Sequence, residues 1–341
     1  MNILVTGGAG YIGSHTILEL LERGDTVTVV DDLTNSSEES LRRVSEITGK
    51  TIDFHHFDLC NKAQLDRLFA DNNFESIIHF AGLKAVGESV AQPLRYYRNN
   101  IDSTLSLLET AQKHSVKNLI FSSSATVYGT PESLPLTEDS RVGVGITNPY
   151  GQTKYMIEQI LRDVAKADPS WSISILRYFN PVGAHKSGRI GEDPNGIPNN
   201  LLPFVAQVAV GKHDKVTVFG NDYETPDGTG VRDYIHVVDL ALGHLAALNH
   251  LNPGVSVYNL GTGTGVSVLD AIHAFEKAAG KPIPYAIAER RPGDVGSCYA
   301  DPAKANQELQ WQATRTIEEA CEDAWRWQSS NPNGFDTPKQ A

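Results

Sequence analysis

The first 31 residues constrain the fold of this chain more tightly than any other stretch. Ile3-Leu4-Val5 reads as a short buried strand, and it runs into Thr6-Gly7-Gly8-Ala9-Gly10-Tyr11-Ile12-Gly13. Ile12, Ile17, Leu20 and Leu21 then recur at helical spacing, Gly24 stops the helix, and Thr26 to Val30 form a second strand that closes at Asp31. Gly7, Gly10 and Gly13 let the main chain turn tightly and approach a pyrophosphate, which then rests on the helix N-terminus, where unpaired amides attract it. Asp31 is placed to accept from a ribose 2′-hydroxyl and to repel a 2′-phosphate. The unit therefore predicts a dinucleotide site that takes NAD in preference to NADP.

Strand candidates at Thr51 to Phe54, Ser76 to Phe80, Asn118 to Phe121 and Ser172 to Leu176 alternate with helical segments up to about Ser174. That alternation predicts an α/β fold with a doubly wound parallel sheet of Rossmann type. Ligands on such sheets bind at the carboxyl ends of the strands, where Asp58, the Phe80-Ala81-Gly82 turn and Ser122-Ser123-Ser124 fall. From Asn180 onward Pro and Gly become frequent and the alternation breaks. We expect a dinucleotide-binding domain over residues 1–180 and a smaller, mixed substrate domain over 181–341, with part of 235–275 returning to the first. Gly261-Thr262-Gly263-Thr264-Gly265 imitates a nucleotide loop but lacks the later glycine and the downstream acid, so it reads as a turn. In the helix from Leu94 to Leu108, the stripe of Leu94, Tyr97, Ile101, Leu105 and Leu108 reads as core-facing. A second apolar face, at Met156, Ile157, Ile160 and Leu161, suits helix pairing across the axis of a homodimer.

Tyr150 and Lys154, spaced Tyr-x-x-x-Lys, share one helix face. A phenol with a pKa of about 10 is a poor base at neutral pH unless a nearby positive charge favours the phenolate, and Lys154 carries such a charge. The pair is thus a candidate proton-transfer device. Composition narrows its setting. A net charge of -12 opposes binding to nucleic acid or an anionic membrane, so any phosphate is held locally. No apolar run approaches the ~20 residues of a membrane span, and the chain opens directly in its first strand, so a cytoplasmic protein is expected. Cys60, Cys298 and Cys321 are scattered, and the histidines, including His55-His56, lack ligand spacing; neither a disulfide framework nor a metal is indicated.

Phe121-Ser122-Ser123-Ser124-Ala125-Thr126-Val127-Tyr128-Gly129 and Tyr150-Gly151-Gln152-Thr153-Lys154, together with the glycine turn, give the chain a specific look. It resembles the extended short-chain dehydrogenase/reductases, and within them the UDP-glucose 4-epimerase family. The closer likeness rests on His79 to Ser89, Arg177 to Ala184, Gly196 to Leu201 and Asp227 to His236, and it covers nearly the whole chain. The resemblance implies NAD contacts from Tyr11, Ile12, Asp31, Asp32, Leu33, Thr34, Asn35, Ser36, Asp58, Leu59, Phe80, Ala81, Gly82, Leu83, Lys84, Asn99, Ser124, Tyr150, Lys154 and Phe179. It implies UDP-sugar contacts from Ser124, Tyr150, Asn180, Asn199, Asn200, Leu201, Thr217, Val218, Phe219, Arg232, Arg291 and Asp294.

The activity so implied inverts the C4 carbinol of UDP-galactose and UDP-glucose through a 4-keto sugar. Tyr150 takes the hydroxyl proton, Ser124 shares the hydrogen bond, and Lys154 holds the nicotinamide ribose and lowers the phenol pKa. A nucleotide-sugar 4,6-dehydratase shares the fold but needs an acid beside the catalytic Ser or Thr, and here Ala125 and Thr126 follow Ser124. A non-catalytic NAD-binding regulator would carry a broken Tyr/Lys pair, and this pair is intact. Cys298 takes a place filled by tyrosine in the bacterial members most often used to define the family, while members that accept N-acetylated sugars have a small residue there. The resemblance thus extends the expected substrates to UDP-N-acetylgalactosamine and UDP-N-acetylglucosamine.

Overall fold

β1 (Asn2–Thr6) shows why the first lobe forms: Ile3 and Val5 join the core on one side of the sheet and Leu4 the core on the other, and all three are completely buried. A strand apolar on both faces needs helices on both faces. The computed structural model describes residues 1–291 and 293–336. Pro292, and residues 337–341 at the end of the expected second domain, lie outside the described residues.

After β1 come α1 (Tyr11–Arg23), β2 (Thr26–Asp31), α2 (Glu38–Thr48), β3 (Asp53–His56), α3 (Lys62–Asp71), β4 (Ser76–His79), α4 (Val86–Ala91), α5 (Pro93–Lys113), β5 (Asn118–Ser124), α6 (Pro149–Ala167) and β6 (Ser172–Tyr178). There follow β7 (Asn180–Val182), α7 (Leu201–Ala209), β8 (Val216–Phe219), β9 (Val231–His236), α8 (Val237–Asn249), β10 (Gly254–Leu260), β11 (Gly265–Ser267), α9 (Val268–Ala279), β12 (Tyr285–Ala288), β13 (Ser297–Cys298), α10 (Ala303–Glu308) and α11 (Ile317–Ser330). Seven parallel strands form the main sheet in the order β10-β6-β5-β4-β1-β2-β3. β1 pairs with β2 on one side and β4 on the other, so the winding reverses between β1 and β4 and opens a crevice at their carboxyl ends.

The second lobe is built from short strands, with β9 paired to β7, β11 and β13, and β8 paired to β12. Its core joins Val205 of α7, Val218 of β8, Ile272 and Phe275 of α9 and Cys321 of α11. Within 235–275, α8 packs with α1 in the core of the first lobe and β10 extends the main sheet, whereas α9 belongs to the second lobe. The Gly261 to Gly265 turn wraps the carboxylate of Asp233, which accepts from the Thr262 amide at 2.9 Å and the Gly263 amide at 3.1 Å. Among the described residues no helix is long and apolar enough to cross a membrane, and no group of three or more His, Cys, Asp or Glu is placed to hold a metal ion.

The expected core stripe of α5 holds at Leu108, which is buried, and at Ile101, which packs against the core, but is corrected at Leu94, 82% exposed, and Leu105, 38% exposed. The inward face instead carries Tyr96, Asn100, Ser103, Thr104, Leu107 and Ala111. Its polar members are buried because each has work there. Thr104 Oγ1 lies 3.0 Å from His79 Nε2, and the Asn100 amide accepts from Leu83 N at 2.7 Å and donates to Leu83 O at 3.0 Å. Hydrogen-bond demand, not apolarity, chose the face.

Candidate active site

A cleft of about 380 Å³ opens at the switch point, over the carboxyl ends of β1, β2 and β4. Gly7 ends β1 with φ of 71°, and a Cβ there would lie 2.6 Å from the Ala81 amide nitrogen. A Cβ on Gly13 would lie 2.6 Å from the Gly7 carbonyl oxygen. The turn therefore presents bare main chain, and α1 starts after Gly10 with no side-chain cap and no acid in its first turn. Those are the conditions for an anion on helix amides. Asp31, 8% exposed, accepts from Ala9 N and Leu33 N at 3.0 Å each and from Ser36 Oγ at 2.8 Å. Burial raises its pKa, and these three hydrogen bonds pull it back.

Gly7, Gly10, Tyr11, Ile12, Gly13, Asp31, Asp32, Thr34, Asn35, Ser36, Asp58, Leu59, Asn99 and the run from Phe80 to Lys84 all line this cleft, so its residues suit a dinucleotide. Leu33 is not among them; it packs against the core and takes φ of 56°. Ser124 and Phe179 face a second cavity instead. Sequence reasoning missed Glu192, which also lines the cleft and whose Oε1 lies 3.7 Å from Lys84 Nζ. No local spacing announces it, because the contact spans more than a hundred residues.

Asn148 caps α6, its side-chain oxygen accepting from Gly151 N at 2.8 Å, and Pro149 opens the helix. That start sets Tyr150 and Lys154 on one face, and both line the cleft. Lys154, 5% exposed, donates from Nζ to Ser122 O at 2.5 Å, with the Tyr150 ring centre 6.0 Å away. Burial lowers the Lys154 pKa to about 7, while Glu158 pulls it up. Burial also raises the Tyr150 pKa, and a hydrogen bond with Ser124 pulls it down. Among the protein's own groups burial thus drives each toward its neutral form. A positive charge entering the cleft shifts Tyr150 the other way.

Tyr150 also lines the second cavity, of about 480 Å³, as do Ile12, Lys84 and Tyr178, so the two spaces adjoin along these residues. This cavity is lined by Ser124, Asn180, Asn199, Asn200, Leu201, Thr217, Val218, Phe219, Arg232, Arg291 and Asp294. α7 begins on its wall, capped by Asn200 without a side-chain hydrogen bond and with no acid in its first turn, so its amides face the space unneutralised. Arg291 lies 4.7 Å from the Phe219 ring centre and bonds Asp294 at 3.0 Å. Asp294 is the one carboxylate among the described lining residues, so no acid stands beside Ser124. Cys298 stands outside the lining: it packs beside Tyr128 and Phe179, pairs in register with Arg232, and burial pushes its thiol up to about 11. Two lining residues went unread in the sequence. Thr126 donates to Ser124 Oγ from its amide at 3.2 Å and its hydroxyl at 3.0 Å, and Tyr223 buries a hydroxyl with no partner among the described residues.

A parallel sheet with a glycine turn at its switch point, and a Tyr-x-x-x-Lys pair where that crevice meets a second cavity, define an extended short-chain dehydrogenase/reductase. Comparison with known proteins narrows the class. The family model described as GDP-mannose 4,6 dehydratase matches residues 4–324. UDP-glucose 4-epimerase of Bacillus subtilis is 63% identical over 98% of this chain and 99% of its own length. The solved structure of UDP-glucose 4-epimerase from Bifidobacterium longum, in complex with NAD+ and UDP, superposes with a TM-score of 0.95 at 60% identity, covering 98% of this chain and all of that one. The UDP-Glc/GlcNAc 4-epimerase of Campylobacter jejuni gives a TM-score of 0.84 at 37% identity over 96% of this chain and 99% of its own. The chain belongs to the UDP-glucose 4-epimerase family.

Proposed function

We propose that this protein is an NAD-dependent epimerase that interconverts UDP-galactose and UDP-glucose, a step of galactose metabolism. One observation carries the reading: Tyr150 is shared by a dinucleotide-shaped cleft and a cavity with the donors for a nucleotide sugar. Tyr150 Oη would take the C4 hydroxyl proton and later return it to the same oxygen, with Ser124 holding that oxygen in line. Bound NAD would supply a reversible two-electron sink for C4 and a positive charge beside the phenol. Arg232 and Arg291 would anchor the diphosphate, with Asn180, Asn199 and Asn200 satisfying the remaining oxygens. The anchor must be tight and the sugar loose, because the keto sugar has to present its opposite face before the proton returns. A dehydratase is disfavoured by the missing acid beside Ser124, and a non-catalytic regulator by the intact Tyr/Lys pair. The test is direct: purified protein, with the NAD it carries, should equilibrate UDP-galactose with UDP-glucose. Net accumulation of NADH with turnover would instead mark a dehydrogenase.

The small Cys298 side chain next to Phe179 supports extending the range to UDP-N-acetylgalactosamine and UDP-N-acetylglucosamine, since Phe179 lines the cavity. The expected pairing face on α6 is corrected, since Ile157 and Leu161 are buried in the chain's own core and Ile160 packs against it; exposed Leu94 and Leu105 on α5 and Met156 on α6 support a homodimer, readable by sedimentation. Free Cys60, Cys298 and Cys321 suit a reducing compartment and support a cytoplasmic place, which cell fractionation checks.

A further inference from the structure

Tyr150, Lys154 and Glu158 lie four residues apart along one face of α6. Glu158 is fully buried and lines neither cavity. Its Oε1 accepts from Ser123 Oγ at 2.6 Å and from Arg177 Nε at 3.0 Å, and its Oε2 accepts from an Arg177 guanidinium nitrogen at 2.7 Å. Arg177, 1% exposed, also donates to Tyr128 Oη at 3.0 Å. A buried ion pair of this kind recovers its desolvation cost poorly, so its presence behind a reactive pair calls for a use beyond stability.

Two uses are built in. Ser123 sits between Ser122, whose carbonyl accepts from Lys154 Nζ at 2.5 Å, and Ser124, which faces the second cavity. Holding Ser123 holds both neighbours. The second use is charge: Glu158 is the buried carboxylate that pairs with Arg177 and favours the Lys154 ammonium, and without it both buried cations would lose that anion.

We propose that Glu158 is a positioning residue of the epimerase reaction, fixing the carboxyl end of β5 through Ser123 and keeping Lys154 charged in the presence of Arg177. The proposal rests on the epimerase reading above. Burial already brings Lys154 down to about 7 with Glu158 pulling upward, so little charge would remain near neutral pH without that pull. The other groups facing Lys154 do not replace it. β5 offers the Phe121 ring at 4.9 Å, α6 the Tyr150 phenol, β6 the Tyr178 phenol raised by burial, and β4 a His79 held near 3 by burial. α5 presents Asn100 and Ser103, neither of which ionises.

The test is kcat against pH for UDP-galactose conversion by the wild-type and Glu158→Gln holoenzymes, with NAD content and thermal midpoint measured alongside. In Glu158→Gln the alkaline limb that reports loss of the Lys154 proton should move down by about one pH unit, and kcat should fall about tenfold. A folded Glu158→Gln enzyme with full NAD and an unmoved limb overturns the proposal. Removing both charges, in Glu158→Gln with Arg177→Met, should bring the limb back toward the wild-type position; a limb that stays displaced also overturns it. Ser123→Ala keeps every charge and remains informative if the Glu158 variants fail to fold. It should lower kcat about fivefold with the limb unmoved, and wild-type kcat in that variant overturns the proposal. A wild type inactive on UDP-galactose removes this proposal and the epimerase reading together, whereas an active wild type with an unmoved limb in Glu158→Gln removes the proposal alone.

Discussion

The cofactor cleft and the second cavity share Tyr150, yet they are made by opposite means. At its glycine turn the cleft presents bare main chain, joined by the end of β2 and the run from Phe80 to Lys84. The cavity gathers the side chains of Asn180, Phe219, Arg232 and Arg291 from different segments. Main chain can be displaced only by moving the sheet, so it makes a rigid seat. Side chains from separate segments can be exchanged or can shift one at a time, so they make an adjustable one. The proposed reaction wants that division, because the cofactor stays through every cycle while the sugar must turn.

The sharpest way to break this comparison is Tyr150→Phe, which removes the hydroxyl of a residue that lines both spaces. We expect kcat to fall about 10²- to 10⁴-fold, as for loss of a general base, with NAD still copurifying. Near-normal turnover would remove Tyr150 from the role of general base. A change confined to the adjustable side should alter choice more than power. Cys298→Tyr is expected to lower UDP-N-acetylgalactosamine conversion roughly 10- to 100-fold by crowding Phe179, with UDP-galactose conversion little changed. Parallel losses on both substrates, in a side-by-side assay, would mean that Cys298 is only packing. On the rigid side, Asp31→Ala should weaken NAD about tenfold, the scale of a lost hydrogen bond to a charged group, and should narrow the preference over NADP. Calorimetric titration giving equal NAD affinity would remove Asp31 from that role.

A separate contrast concerns pH. His15 and His79 are held near 3 and His244 near 4 by burial, and all three belong to the first lobe. Their folded pKa values lie below the unfolded value of about 6.5, so the unfolded chain binds more protons in the window between. The stability they contribute is therefore complete above about pH 6.5 and is lost as pH falls toward 4, at about 1 kcal/mol per histidine per pH unit. Hydrogen exchange at pH 5 against pH 7 should rise first in β4, α1 and α8. An equal rise in α9 and α11 would place the acid sensitivity elsewhere.

What the sequence made legible follows the same division. The glycine turn, Asp31 and the Tyr150/Lys154 pair could be read because each is local: the residues that act together lie within a few positions or one strand-turn-helix unit. The α5 stripe misled because Asn100 and Thr104 outcompeted Leu94 and Leu105 for the interior through hydrogen bonds to the Leu83 backbone and His79. Glu192 and the Ser123–Glu158–Arg177 set were invisible because their partners are fixed only by the fold. The spacing of Tyr150 and Lys154 likewise shows a neighbouring cation but not the depth of burial that opposes the phenolate.

Carrying Tyr150 and Lys154 on one helix, four residues apart and started by the Asn148 cap, has a mechanical consequence. Four residues of α-helix are a ruler of about 6 Å. A strain that tilts or slides α6 moves both groups as one body, so their mutual calibration survives while their distance from the substrate changes. Errors from remote substitutions should therefore arrive as common-mode offsets rather than as a scrambled pair. Such offsets can be cancelled by a single compensating shift elsewhere in the wall, which leaves this helix tolerant of drift in everything except its own first turn.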